Sequence, residues 1–183
     1  MTLPPIVVFD LDGTLAETAP DIMRVLNVIL VREGLPALPL ERARELVGAG
    51  ARALIERGFK VSGRPLEAQT LEQLFEDFLL IYADDVASHS HLFDGVLGAL
   101  DQLAAEGYLL AVCTNKPEGL ARLLLDQLDM ATLFDAIVGG DTLPVQKPDP
   151  APLLEAIAQA GGDAARAILV GDASPDTGAA KAA

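Results

Sequence analysis

Four short apolar runs punctuate the chain, and each stops at a polar residue or a glycine. They are Ile6–Phe9 before Asp10, Leu109–Cys113 before Thr114, Ala136–Val138 before Gly139 and Gly140, and Ala167–Val170 before Gly171 and Asp172. An unbroken apolar run of this length predicts a strand buried on both faces. Between the second and third runs, Glu118–Leu128 carries helical spacing. Between the third and fourth, Pro150–Ala160 does the same and is closed by Gly161 and Gly162. Strands alternating with helices predict an α/β fold built on a doubly wound, parallel, Rossmann-like sheet.

The stretch from Ala16 to His91 breaks this rhythm, because it shows no convincing strand. Pro20 and Asp21 open a helix that runs to Glu33 and stops at Gly34. Leu66–Ala87 reads as a second long helix with Leu71, Leu74, Phe75, Phe78, Leu79 and Tyr82 on one face. Two shorter helices, Leu40–Val47 and Ala51–Gly58, flank the glycines at 48 and 50. The expected organisation is a core of residues 1–16 and 92–183 with a helical cap, residues 17–91, inserted after the first strand. Such an insertion would lie as a lid over the carboxyl ends of the strands, where open α/β sheets bind ligands.

Charge narrows the function. The chain of 183 residues has a formal net charge of −14 and no cluster of Lys and Arg, which argues against nucleic acid or an anionic membrane as partner. No apolar run approaches the roughly 20 residues of a membrane helix, and no basic segment followed by an apolar one opens the chain, so a cytoplasmic location is expected. The single cysteine, Cys113, has no partner for an internal disulfide, and its apolar run predicts a core residue. An acidic protein acting on a small anion needs a local correction, either a bound cation or a lysine at the site.

In a parallel sheet the residues directly after each strand become neighbours. Here they are Asp10 and Asp12, Thr114 and Asn115, Gly140 and Asp141, and Asp172 with Asp176. Clustered carboxylates either take up protons or bind a hard cation such as Mg2+. Lys147, in the loop QKPDP, supplies a positive charge. Taken singly these residues have plain explanations: Asp12-Gly13 can be a turn, Asp172 can cap a helix, and Thr114 can bond to backbone. Four strand ends bearing polar residues together point to a site.

The segments FDLDGTL, CTNKP, QKPDP and VGDASPD resemble, in order and spacing, the four motifs of the haloacid dehalogenase superfamily. The run ETAPDI, the helical insertion, TNKP and GGD are most similar to its phosphoglycolate phosphatase group, with Glu17 and Thr18 where that group usually has Asp and Ser. The resemblance implies a Mg2+-dependent phosphatase acting on a small phosphorylated metabolite, with 2-phosphoglycolate the first choice. It casts Asp10 as the nucleophile that forms an aspartyl-phosphate and Asp12 as general acid and then base. Mg2+ would be held by Asp10, the Asp12 carbonyl, Asp172 and Asp176, and the phosphoryl oxygens by Thr114, Asn115 and Lys147. The alternatives are another substrate, such as a sugar phosphate or pyrophosphate, phosphomutase chemistry, or an inactive fragment that binds or interacts.

In the cap, Gly48 and Gly50 followed by Arg52 suggest a helix start that meets a substrate anion, or else a plain turn with a solvated arginine. His89 and His91 read as loop residues, since no third ligand stands near them. Family members normally continue through a further strand and helix, whereas this sequence stops seven residues after Asp176. The chain therefore reads as truncated, with Ile168–Val170 as an exposed apolar edge. Marginal stability or homo-oligomerisation through that edge is expected; a monodisperse monomer that unfolds cooperatively would count against it.

Overall fold

A computed structural model describes residues 3–183. The chain divides into two compact units: one takes the chain up to Glu17 and again from His91 onward, the other is Thr18–Ser90.

The first unit contains the parallel sheet expected from the four apolar runs. Its strands are β1 (Ile6–Phe9), β4 (Leu109–Cys113), β5 (Ala136–Val138) and β6 (Ala167–Val170), in the order β5-β4-β1-β6. The register is flush at the carboxyl ends. Phe9 stands opposite both Val112 and Val170, and Cys113 opposite Val138, so Asp10, Thr114, Gly139 and Gly171 leave the sheet side by side. Strands β1, β4 and β5 are apolar and almost wholly buried between helices. Leu153, Ala156 and Ile157 of α7 (Ala151–Ala160) pack on Ile6, Val8, Ala111, Cys113 and Val138, each large side chain contributing about 1.5–3 kcal/mol on burial. The edge strand β6 leaves Ile168 53% and Val170 39% exposed.

Three elements of this unit lie outside the sequence expectation. Helix α5 (Val96–Ala105) fully buries only Leu100, although Val96, Leu100 and Leu103 stand at i, i+4 and i+7. Strands β2 (Ala16–Glu17) and β3 (His91–Leu92) are two residues long, too short to show alternation, and pair antiparallel. They stand where the chain leaves for the second unit and returns from it.

The second unit is helical. Helix α1 (Ala19–Arg32) buries Ile22, Met23, Val25, Leu26, Ile29 and Leu30. It packs with α3 (Ala51–Val61), through Leu54, Ile55 and Phe59, and α4 (Ala68–Asp84), through Leu74, Phe78 and Tyr82. A short helix, α2 (Ala43–Leu46), follows one turn of 3-10 helix. Asp21, fully buried at the start of α1, accepts hydrogen bonds from the His89 amide and the Ser90 hydroxyl, at 2.9 and 2.7 Å. One carboxylate thus joins the first and last turns of this unit. Burial raises the pKa of Asp21, but the Ser90 hydroxyl, the His89 amide, the His89 side chain and Arg24 outweigh that and hold it below the ordinary value.

Gly139 shows how tightly the strand ends are packed. A Cβ there would lie 2.2 Å from the amide nitrogen of Glu118, the first residue of α6 (Glu118–Gln127). Backbone cannot yield as a flexible side chain can. Gly139→Ala should therefore lower stability by about 1–3 kcal/mol, as overpacking does. Gly98→Ala, in α5 with open space around it, should be neutral or stabilising by up to about 1 kcal/mol. Thermal unfolding of the two variants checks the contrast, and equal midpoints would refute it.

Candidate active site

Asp10 is delivered by β1, whose last turn of pairing is closed by the Asp10 amide donating to the Val170 carbonyl at 2.9 Å. Its side chain is buried. The Leu11 amide donates to Oδ1 at 2.7 Å, and the Lys147 ammonium lies 3.1 Å from the same oxygen. Burial pushes the Asp10 carboxyl up to about 6; Lys147 pulls it down, while Asp176 and Asp12 add to the rise.

Lys147 comes from the loop after β5 and is also buried. Its Nζ donates to the Cys113 carbonyl and to Asp176 Oδ1, both at 2.6 Å, in addition to the Asp10 contact. An ammonium has three donors, and these are three acceptors. Burial alone would lower its pKa, yet Asp10 and Asp176 outweigh that and hold it above the ordinary lysine value.

Asp176 sits in the first turn of α8 (Ser174–Ala182), where Oδ2 accepts from the Ala173 amide at 3.0 Å. Asp172 is exposed, and Thr14 Oγ1 donates to its Oδ1 at 2.9 Å. Gly13 is at φ +84°, and a Cβ there would lie 2.6 Å from Asp172 Oδ2, so only glycine lets these two loops approach. Carboxylate oxygens of Asp10, Asp172 and Asp176 lie within 4.8 Å of one another. Three carboxylates set against one ammonium leave an excess of negative charge among hard oxygen donors, a set that fits a divalent cation such as Mg2+.

The carboxylate of Asp12 stands apart from this trio. Its Oδ1 is 3.0 Å from Nζ of Lys116, a lysine that is itself buried. Sequence reasoning assigned Lys116 no role, although it lies inside the CTNKP segment; a second lysine at a strand end in an acidic chain was the available signal. Thr14 was likewise missed, its hydroxyl being the next polar atom along the first motif.

Thr114 is buried directly after β4. Its amide donates to the Val138 carbonyl at 3.0 Å, and its Oγ1 accepts from the Lys116 amide at 3.2 Å. Asn115, expected among the phosphate ligands, turns its side chain to the Lys147 backbone. Asn115 Nδ2 donates to the Lys147 carbonyl and the Lys147 amide donates to Asn115 Oδ1, each at 3.0 Å. Asp141 caps α6, accepting from the Glu118 amide at 2.7 Å. Cys113 is buried, and burial pushes its thiol up to about 11, in keeping with a core residue.

The cap residues are engaged within their own unit. Gly48 and Gly50 bend the chain into α3 with φ of 104° and 85°. Arg52 pairs with both oxygens of Glu72, at 2.9 and 3.1 Å from its Nε, and lies 3.6 Å over the Phe75 ring. His89 Nδ1 is 3.0 Å from Asp21 Oδ1, and His91 lies in β3. Among the described residues, the three-acid group able to share an ion includes neither histidine. No helix among them is long and apolar enough to cross a membrane.

Comparison with known proteins places these residues in context. Residues 7–183 match the pattern of the haloacid dehalogenase-like hydrolases. The phosphoglycolate phosphatase of Caulobacter vibrioides is 44% identical over 170 residues, which are 93% of this chain and 72% of that protein. That of Mesorhizobium japonicum is 44% identical over 98% of this chain and 79% of its own length. Among solved structures, one described as a predicted phosphoglycolate phosphatase from Haemophilus somnus superposes with a TM-score of 0.86 at 31% identity, covering 97% of this chain and 80% of that one. A CbbY variant from Rhodobacter sphaeroides in complex with xylulose 1,5-bisphosphate gives 0.75 at 25% identity, covering 98% and 82%.

The raised pKa of Asp10 has a direct thermodynamic consequence. A carboxyl that binds its proton more tightly folded than unfolded adds stability below its unfolded value of 3.8, and that contribution is lost as pH rises through about 6. In the metal-free protein, the unfolding free energy of wild type relative to Asp10→Asn should therefore fall by roughly 2–3 kcal/mol between about pH 4 and about pH 7. Denaturant titrations at the two pH values measure this; a difference that stayed constant would contradict the assigned shift.

Proposed function

Because the chain belongs to the haloacid dehalogenase-like hydrolase family and is a phosphoric monoester hydrolase, we propose that it is a Mg2+-dependent phosphatase that hydrolyses 2-phosphoglycolate through an aspartyl-phosphate on Asp10. The observation that carries this reading is the pair of acids at the end of β1 in different settings: Asp10 against Lys147 and two further carboxylates, Asp12 against Lys116.

An Asp10 carboxylate oxygen attacks phosphorus and the ester P–O bond breaks. The leaving alkoxide takes a proton from Asp12. Asp12, now ionised, removes a proton from a water molecule that attacks the same phosphorus, and the Asp10–phosphorus bond breaks to release phosphate and restore the carboxylate. Asp10, Asp172 and Asp176 would hold Mg2+ together with the Asp12 carbonyl; when bound, the ion neutralises charge developing on the phosphoryl oxygens. Thr114 and Lys147 contribute donors and positive charge to the same group. Lys116 would hold the Asp12 side chain in place and compensate its charge while it is ionised, between the proton given to the alkoxide and the proton taken from water.

The names of the relatives, at 40–44% identity for the first six, support 2-phosphoglycolate as substrate. A sugar phosphate is the second reading, favoured by the xylulose 1,5-bisphosphate in the CbbY complex. The cap, including Gly48, Gly50 and Arg52, would make that choice.

Phosphate release from a panel of small esters, with Mg2+ and with chelator, tests the whole reading. Mg2+-dependent turnover should favour 2-phosphoglycolate; preference for a sugar phosphate would keep the chemistry and replace the substrate, and silence from folded protein would overturn both. Asp10→Asn should abolish turnover. Asp12→Asn should slow it by about 10²- to 10⁴-fold and let acid-quenched phosphoenzyme accumulate. Substantial activity in Asp10→Asn would remove it as nucleophile.

A further inference from the structure

We infer that Asn115 is a positioning residue that fixes Lys147, and that its side chain is not a ligand of the transferring phosphoryl group. The inference rests on the phosphatase reading for its kinetic consequence and on geometry for everything else.

A carboxamide has one accepting and one donating end. In Asn115 both ends go to one residue 32 positions along the chain: Oδ1 accepts from the Lys147 amide and Nδ2 donates to the Lys147 carbonyl, each at 3.0 Å. Both residues are buried, Asn115 to 8% and Lys147 to 4% exposure, so water does not replace these bonds cheaply if the side chain is cut back. Asp at this position could accept but not donate. Only an amide of this length serves both backbone groups.

The other end of Lys147 is held by the same strand. Its ammonium donates 2.6 Å to the carbonyl of Cys113, the last residue of β4, two residues before Asn115. Backbone and ammonium are therefore both referred to the end of β4, and the loop carrying Lys147 is laid against that frame. Two more bonds join the same segments: the Gly140 amide donates to the Lys116 carbonyl at 2.8 Å, and Gln146 Nε2 donates to the Gly140 carbonyl at 2.9 Å. With the Lys147 backbone fixed, the ammonium reaches Asp10 and Asp176 together. A displacement of about 1 Å in a catalytic group can cost about 10²-fold in rate.

The test has two readouts. The first needs no turnover: brief acetylation with acetic anhydride, read residue by residue by mass spectrometry with exposed Lys181 as reference. Asn115→Ala should raise the reactivity of Lys147 about tenfold or more, the expected effect of losing two buried hydrogen bonds. The second is a double-mutant cycle on kcat/KM with Asn115→Ala and Lys147→Met. Asn115→Ala should cost about 10- to 100-fold alone and less than about threefold when Lys147 is already Met, because it acts through that lysine.

Equal losses in both backgrounds would assign Asn115 a contact of its own with substrate and overturn the inference, as would unchanged protection of Lys147. A general loss of structure would raise the labelling of every buried lysine and lower activity in both backgrounds alike. If Asn115→Ala does not fold, Asn115→Ser gives the same two readouts. A wild-type chain without turnover would defeat the phosphatase reading, and the labelling would still decide whether Asn115 holds Lys147.

Discussion

The ammonium of Lys147 is the constraint on which the core site depends. It is buried, and a buried charge is tolerated only when its donors are satisfied and its field is compensated. Asp10 just after β1, Asp176 in the first turn of α8 and the Cys113 carbonyl at the end of β4 meet that demand. The dependence runs both ways. Without the lysine, Asp10 would be buried beside other acids, with only the Leu11 amide to oppose the rise of its pKa. The flush ends of β1, β4 and β6 make this meeting possible.

The charge of the whole chain and the charge of the site are opposed. A formal charge of −14 repels anions at long range, while two buried lysines, 116 and 147, stand among the acids at the strand ends. Each lysine faces one acid of the first motif, Lys147 facing Asp10 and Lys116 facing Asp12. Local pairing therefore separates two chemically identical side chains only two residues apart. Composition alone says that some such correction is needed; it does not say that there are two.

Much of the core was legible in the sequence because strand ends in a parallel sheet are forced into proximity. Four apolar runs followed by Asp10, Thr114, Gly139 and Gly171 were enough to place the strands and the edge where they end. The contacts that cross between loops were not legible. Nothing in the spacing of Asn115 and Lys147 tells that one side chain bonds the backbone of the other, since the loop path decides it. Helix α5 is a different case: Val96, Leu100 and Leu103 recur at i, i+4 and i+7, so this helix was legible in the sequence and went unread. In the cap, the Arg52–Glu72 pair joins two helices whose relative placement no local pattern encodes.

The pairing of β2 with β3 sets Ala16 opposite Leu92 and Glu17 opposite His91, so the chain departs from the sheet unit and rejoins it at adjacent points. An insert attached this way places almost no demand on its host beyond a pair of neighbouring ends. It can lengthen, shorten or be exchanged for another helical segment while the strand order and the acids at the strand tips stay as they are. In evolutionary terms the molecule is a socket with a replaceable fitting: the acids at the strand tips belong to one part, and the other is free to drift without disturbing them.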